Sequence, residues 1–125
     1  MLIYVGGKWQ EKAAVRAVQK SLTDAGHDVV SVWTGSKDTT TDRGLMQQAL
    51  VDYCGISESE VLVLVLNNEE AYLNSSPNRY VEMGIALGRQ IPIYMLGTAR
   101  DDEIFHRLPW IHKVESVEEI IKCLT

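Results

Sequence analysis

The sequence predicts an α/β fold: a doubly wound, five-stranded parallel sheet of strand order 2-1-3-4-5 with helices on both faces. Three observations carry this expectation. Strand-like and helix-like stretches alternate along the chain, which calls for right-handed crossovers between parallel strands. The run Val61-Leu62-Val63-Leu64-Val65-Leu66 is apolar at every position, as befits a strand buried on both faces. No repeat, low-complexity tract or linker interrupts the 125 residues, of which 46% are hydrophobic, so residues 1–125 are expected to form one domain with an ordinary core. In such a sheet the ligand crevice lies beside strands one and three, outside their carboxyl ends.

Each element has its own justification. Leu2 to Val5 read as the first strand, ending in Gly6-Gly7. From Glu11 to Ala25, Ala14, Val18 and Leu22 recur every four residues, the mark of an amphipathic helix, with Gly26 as its C-terminal cap. Val29 to Trp33 form the second strand, and Thr34 to Asp42 a polar loop, either a solvated connection or a segment lying over the site. A second helix from about Arg43 to Ile56 carries Leu45, Met46, Ala49, Leu50, Tyr53 and Ile56 at helical spacing. The third strand is Val61–Leu66. Arg79 to Gly88 read as a helix with Val81, Ile85 and Gly88 on one face. Pro92 to Leu96 form the fourth strand, proline being tolerated at its first position. Asp101 to Leu108 read as a short helix and Trp110 to Val114 as the fifth strand. Ser116-Val117-Glu118-Glu119 is a capping box opening a last helix with Val117, Ile120, Ile121 and Leu124 apolar.

Composition narrows the function. A net charge of −5 and a pI near 5.1 argue against a protein that binds nucleic-acid backbones, which needs a basic patch. No apolar run approaches membrane-spanning length, and the chain enters a strand at once, so neither a membrane partner nor a signal peptide is expected. Cys54 and Cys123 are isolated, as free thiols in the cytoplasm would be, and no metal-ligand spacing is present. A response regulator would have acidic residues after its first strand, where this chain has Gly6-Gly7-Lys8. Gly-x-x-x-x-Gly-Lys-Ser/Thr, Gly-x-Gly-x-x-Gly and Gly-x-Ser-x-Gly are all missing. What remains is a site of carboxylates, hydroxyls and aromatics.

Glu82 is the first candidate, in the early turns of a helix after a central strand. Either it opposes the helix macrodipole as acidic residues near helix starts do, or the dipole holds it ionised as a nucleophile. Gly84 and Gly88 within that helix each cost about 1 kcal/mol relative to alanine. They imply close backbone approach, for which tight packing of helix on sheet is one explanation.

The stretch Tyr80-Val81-Glu82-Met83-Gly84-Ile85-Ala86 resembles the nucleophile motif of the nucleoside 2-deoxyribosyltransferase-like family, where a glutamate precedes x-Gly-x-Ala. Ile3-Tyr4-Val5-Gly6-Gly7-Lys8-Trp9 is similar to that family's first strand and turn. Asp52-Tyr53-Cys54-Gly55-Ile56, followed by Ser59-Glu60 and the apolar strand, is similar to its aspartate-x-x-x-isoleucine segment. Together these pieces span residue 3 to about residue 96, and the family has the same flavodoxin-like, Rossmann-like architecture.

The resemblance implies an enzyme that cleaves the N-glycosidic bond of a nucleoside or nucleoside 5′-monophosphate, by transfer to a second base or by hydrolysis, without metal or organic cofactor. It makes Glu82 the nucleophile, Tyr4 the hydroxyl that hydrogen-bonds and orients it, and Asp52 the group that contacts the base and assists its protonation. Gly6 and Gly7 would admit the ligand to the backbone and Trp9 would wall the pocket. Ser76, six residues before the nucleophile, with Arg79 and Lys8, would suit a 5′-phosphate. Departures are Asn78 and Tyr80, where the family has small residues or glycine, and Glu60 in place of an aspartate. Taken from the residues alone, Tyr4 also fits a tyrosine at the core edge, Asp52 a solvated helix residue, and the whole a non-catalytic nucleotide-binding module. His27, His106 and His112 match no motif. The short chain implies a homodimer or larger homo-oligomer, with part of an open sheet edge buried against a copy.

Overall fold

The computed structural model describes residues 1–7, 12–30, 40–66, 78–97 and 107–125. In chain order these form β1 (Leu2–Gly6), α1 (Lys12–Asp24), β2 (Asp28–Val29), α2 (Asp42–Glu58), β3 (Val61–Leu66), α3 (Asn78–Gly88), β4 (Ile93–Gly97), β5 (Ile111–Val114) and α4 (Val117–Leu124). The strands pair in parallel in the order β2-β1-β3-β4-β5, as the alternating pattern predicts. β3 has no polar face to turn to solvent and sits at the centre with all six side chains buried. In register, Tyr4 of β1 lies opposite Leu62 and Gly6 opposite Leu64.

Adjacent residues at the end of β1 identify the two faces of the sheet. A Cβ on Gly7 would meet Val15 of α1 at 2.7 Å, whereas a Cβ on Gly6 would meet Glu82 of α3. Successive side chains of a strand point to opposite faces, so α1 and α3 lie on opposite sides. α4 packs with α1, and α2 with α3. The first pair is conventionally amphipathic. α1 buries Val15, Val18 and Leu22, and ends as expected at Gly26, where His27 N donates to Leu22 O at 3.1 Å and Gly26 N to Thr23 O at 3.0 Å. α4 is capped by Ser116, whose Oγ accepts from Glu119 N at 3.3 Å, and buries Ile120.

The second pair departs from the sequence expectation. Thr41 caps α2 by accepting from Gly44 N at 3.0 Å, so the helix begins at Asp42, inside the expected loop. Along α2 the buried and half-buried positions include Gly44, Gln48, Asp52, Gly55 and Ile56, while Leu45, Met46, Leu50, Val51 and Tyr53 are exposed. Of the apolar residues at helical spacing, Leu45, Met46, Leu50 and Tyr53 point outward and Ile56 inward, because residues small enough to sit close to the sheet, and two polar ones, occupy the inner face. In α3 the buried side chains are Arg79, Met83 and Ala86, whereas Val81 is 61% exposed. The face of Val81, Ile85 and Gly88 is therefore not the sheet face. Tight helix-on-sheet packing does not explain Gly84 or Gly88 either, since a Cβ on each would meet nothing within 4 Å.

β4 begins after Pro92, and β5 after Trp110, each one residue later than expected. Pro92 and Trp110 still offer carbonyls to Leu62 N at 3.0 Å and Ile93 N at 2.9 Å. The expected strand residues 31–33, most of the following loop, the polar segment before α3 and the short helix over 101–106 lie outside the described residues.

Candidate active site

The site forms where β1 ends beneath α2 and α3. Tyr4 and Gly6 are two residues apart on β1, so both face these helices. A Cβ on Gly6 would stand 2.7 Å from Glu82 Oε2 and 3.3 Å from Glu82 Cδ. Glycine at this position is what lets the carboxyl lie on the strand backbone. One step back along β1, the Tyr4 ring fills the space under Gly55, whose Cβ would come within 3.0 Å of Tyr4 Cε2. Asp52 lies one turn before Gly55 on the same helix, which brings its carboxyl towards the Tyr4 hydroxyl and Glu82. Gln48, a further turn back, donates from Nε2 to Asp52 Oδ1 at 2.8 Å.

The electrostatics follow from this crowding. Burial raises the Glu82 carboxyl, and the negative charge of Asp52 raises it further, to about 8. This corrects the expectation that the helix dipole keeps Glu82 ionised. Glu82 is the fifth residue of α3, beyond its first turn, where the dipole is weak, and desolvation with a like charge outweighs it. Burial also raises Asp52, against hydrogen bonding from Tyr4 and Gln48 that favours its charged form. Tyr4 is held well above the usual phenol range by burial first, then by the charges of Glu82 and Asp52.

Tyr4 also requires a correction. Its buried hydroxyl has no partner at full hydrogen-bond geometry among the described residues, and its proton is drawn to Asp52. The expected hydrogen bond from Tyr4 to Glu82 is not present, because the Glu82 carboxyl sits further along β1, over Gly6. At neutral pH the arrangement is two adjacent carboxyls with fewer protons than oxygen pairs, over a strand end with no side chain in the way. Such a pair can supply a proton to a leaving group and retain a carboxylate for nucleophilic attack. Among the described residues no cluster of His, Cys, Asp or Glu could hold a metal ion, and no helix is long and apolar enough to cross a membrane.

Solved structures share this architecture across nearly the whole chain. A 2-deoxyribosyltransferase from the psychrotolerant bacterium Bacillus psychrosaccharolyticus is similar with a TM-score of 0.72 at 14% identity, over 97% of this chain and 90% of that one. The CMP N-glycosidase BcmB of Clostridium botulinum is similar with a TM-score of 0.66 at 17% identity, over 99% and 98%. The fold is that of the nucleoside 2-deoxyribosyltransferase-like proteins. A conserved protein from Enterococcus faecalis V583 also has it, with a TM-score of 0.63 at 15% identity over 98% and 95%. No protein-family model matches the chain, and no curated protein matches it in sequence.

Within this deoxyribosyltransferase-like fold the sequence-derived residues separate into groups. Glu82, Asp52, Tyr4 and Gly6 come together. Gly7 faces the other side of the sheet, where its missing side chain makes room for Val15. Arg79 is 7% exposed, with its guanidinium 4.9 Å from the centre of the Tyr80 ring and Nη2 donating to the Tyr80 hydroxyl at 3.0 Å. Asn78 is the first residue of α3. Lys8, Trp9 and Ser76 lie outside the described residues, as does His106. His27 accepts from the chain's first amino group at 3.3 Å and His112 stacks on Tyr94 at 4.7 Å, both away from the carboxyls. Sequence reasoning missed Gln48 and Gly55. Their positions, four before and three after Asp52, are the signal that could have found them, since those offsets share one helix face.

Proposed function

We propose that the protein cleaves the N-glycosidic bond of a nucleoside 5′-monophosphate or nucleoside, with Glu82 as nucleophile and Asp52 as the acid that serves the leaving base. The observation that carries this reading is the Glu82 carboxyl lying against Gly6 at the carboxyl end of β1, with Asp52 close enough to raise its pKa. In the first step the C1′–N bond breaks with its electron pair going to the base nitrogen. The proton that Glu82 holds passes to Asp52 and from Asp52 to the base, as Glu82 bonds to C1′. Water or a second base then attacks C1′, gives its proton to Asp52 and frees the Glu82 carboxylate, which gives hydrolysis or transfer. Tyr4 acts through Asp52 in this scheme, and Gly6 makes room for the Glu82 carboxyl at the strand end. The resemblance of Ser76 to the phosphate-side serine of monophosphate N-glycosidases favours a 5′-monophosphate.

The test is incubation with a panel of nucleosides and their monophosphates, followed by detection of free base. Release without an acceptor identifies a hydrolase, and exchange only with an added base identifies a transferase. Full activity in a folded Glu82→Gln variant would falsify the nucleophile assignment.

The reading includes a homodimer, and the face that suits it is the outer surface of α2 and α3, not an open sheet edge. Asp42, Arg43 and Glu58 stand at the ends of α2 and Arg89 just beyond α3, and Asp52, Arg79 and Glu82 face inward, so the middle of this surface carries few charges. α1 and α4 on the opposite side carry Lys12, Arg16, Lys20, Glu118, Glu119 and Lys122. Two copies at a net charge of −5 repel least through the neutral side. Met46, Leu50 and Tyr53 of α2 are exposed on that side, and a Cβ on Gly84 or Gly88 of α3 would meet nothing within 4 Å. Large side chains of one copy set against the glycines of the other would suit a two-fold axis. The protein is taken as cytoplasmic, which the unpaired, exposed Cys54 and Cys123 suit.

A further inference from the structure

We infer that Gln48 is a positioning residue that fixes which oxygen of Asp52 carries the transferable proton. The inference rests on the N-glycosidic reading for its catalytic consequence and on geometry for the rest. Gln48 lies on the inner face of α2, half-buried, and its Nε2 donates to Asp52 Oδ1 at 2.8 Å. An amide N–H needs a lone pair on its acceptor. The carbonyl oxygen of a neutral carboxyl is a better acceptor than its hydroxyl oxygen, so the bond to Oδ1 favours Oδ2 as the site of a proton on Asp52. The same bond stops the carboxyl from rotating, which would bring Oδ1 into the place of Oδ2.

The groups facing Asp52 from the neighbouring elements are the Tyr4 hydroxyl of β1 and the Glu82 carboxyl of α3. The Tyr4 hydroxyl reaches Asp52 short of full hydrogen-bond geometry, and Glu82 repels Asp52 when both are charged. The amide of Gln48 is thus the group that holds an acid otherwise set between a hydroxyl and a like charge. Burial favours the neutral form of Asp52, while hydrogen bonds from Tyr4 and Gln48 favour the charged one. Removing the Gln48 bond makes Asp52 a weaker acid and a less firmly oriented one.

The experiment uses two variants of equal side-chain length: Gln48→Met, which removes the donor, and Gln48→Glu, which replaces it with an acceptor. Carboxyl ¹³C titration by NMR, in a Glu82→Gln background that removes the coupled partner, reads Asp52 directly. Loss of a hydrogen bond to a charged group should raise the Asp52 midpoint by about one pH unit in the methionine variant, and the glutamate should raise it further. In the enzyme with Glu82 intact, kcat on substrates with poor leaving bases should fall about tenfold with KM little changed. A structural role alone would lower both bases' rates equally and leave the Asp52 midpoint in place. An unmoved midpoint in folded variants of both kinds overturns the positioning role. Wild-type protein that releases no base from any substrate overturns the N-glycosidic reading and the catalytic half of this inference, and the titration then decides the positioning half alone.

Discussion

The protonation of Glu82 makes a prediction about stability that needs no substrate. Its carboxyl titrates near 4.5 in an open chain and is pushed up to about 8 in the fold, by burial first and by Asp52 second. The folded state therefore keeps a proton that the unfolded state has already lost between these values. Stability from this group is fully present below pH 4.5 and declines until the pH has passed about 8. The difference of 3.5 units (8 − 4.5) corresponds to a ceiling of roughly 5 kcal/mol. Residual exposure of Glu82 and its coupling to Asp52 reduce this, and about 1–3 kcal/mol is the expected effect. Glu82→Gln has the shape of the neutral carboxyl and does not titrate. In urea unfolding it should match the wild type at pH 5 and exceed it by that amount at pH 9. A variant no more stable than the wild type at pH 9, with unchanged folding at pH 5, would refute the argument that burial and a like charge control Glu82.

Three further predictions concern activity and assembly. Base release should decline as pH rises through about 8, where the carboxyl pair loses its shared proton; a rate that keeps rising to pH 10 would contradict proton delivery by the pair. Asp52→Asn should slow reactions of poor leaving bases at least about tenfold more than those of good ones, measured as kcat/KM over a series of bases, and an equal loss would reduce Asp52 to a substrate contact. Leu50→Glu should convert a dimer to monomers by light scattering at micromolar concentration, as a charge buried in an apolar interface costs several kcal/mol; an unchanged dimer would exclude the α2–α3 face.

How legible these features were in the sequence depended on the kind of signal. The order of the strands followed from alternation and from the unbroken apolar run of β3, whose short length and three valines mark a strand buried on both faces. Glu82, Asp52, Tyr4 and Gly6 were reachable because their spacing matches a family motif in order along the chain. The mutual arrangement was not reachable. That Gly6 faces Glu82 while Gly7 faces Val15 depends on the phase of the pleat at the strand end. That Tyr4 looks to Asp52 depends on the small Gly55 above its ring, a contact between residues 51 positions apart. Periodicity identified α2 as a helix but left open where its apolar stripe points, since a helical pattern records which residues share a face and not what that face meets.

The orientation of α2 joins the site to the assembly. A helix with an apolar inner face would seal against β1 and β3, but could offer no carboxylate to a ligand at the strand ends. α2 instead turns Gly44, Gln48, Asp52 and Gly55 inward, with Ile56 as its buried apolar anchor near the C-terminus. Its polar site thereby displaces Met46, Leu50 and Tyr53 to the outside, where leaving them in water forgoes about 1.5–3 kcal/mol for each large apolar side chain that could be buried. A second copy of the same face would restore that burial without giving up the carboxylates. On this argument the proposed catalysis and the proposed dimer would be two consequences of one choice of helix face. Substitutions that free the outer stripe of its partner should then loosen α2, and with it the alignment of Asp52 over the end of β1.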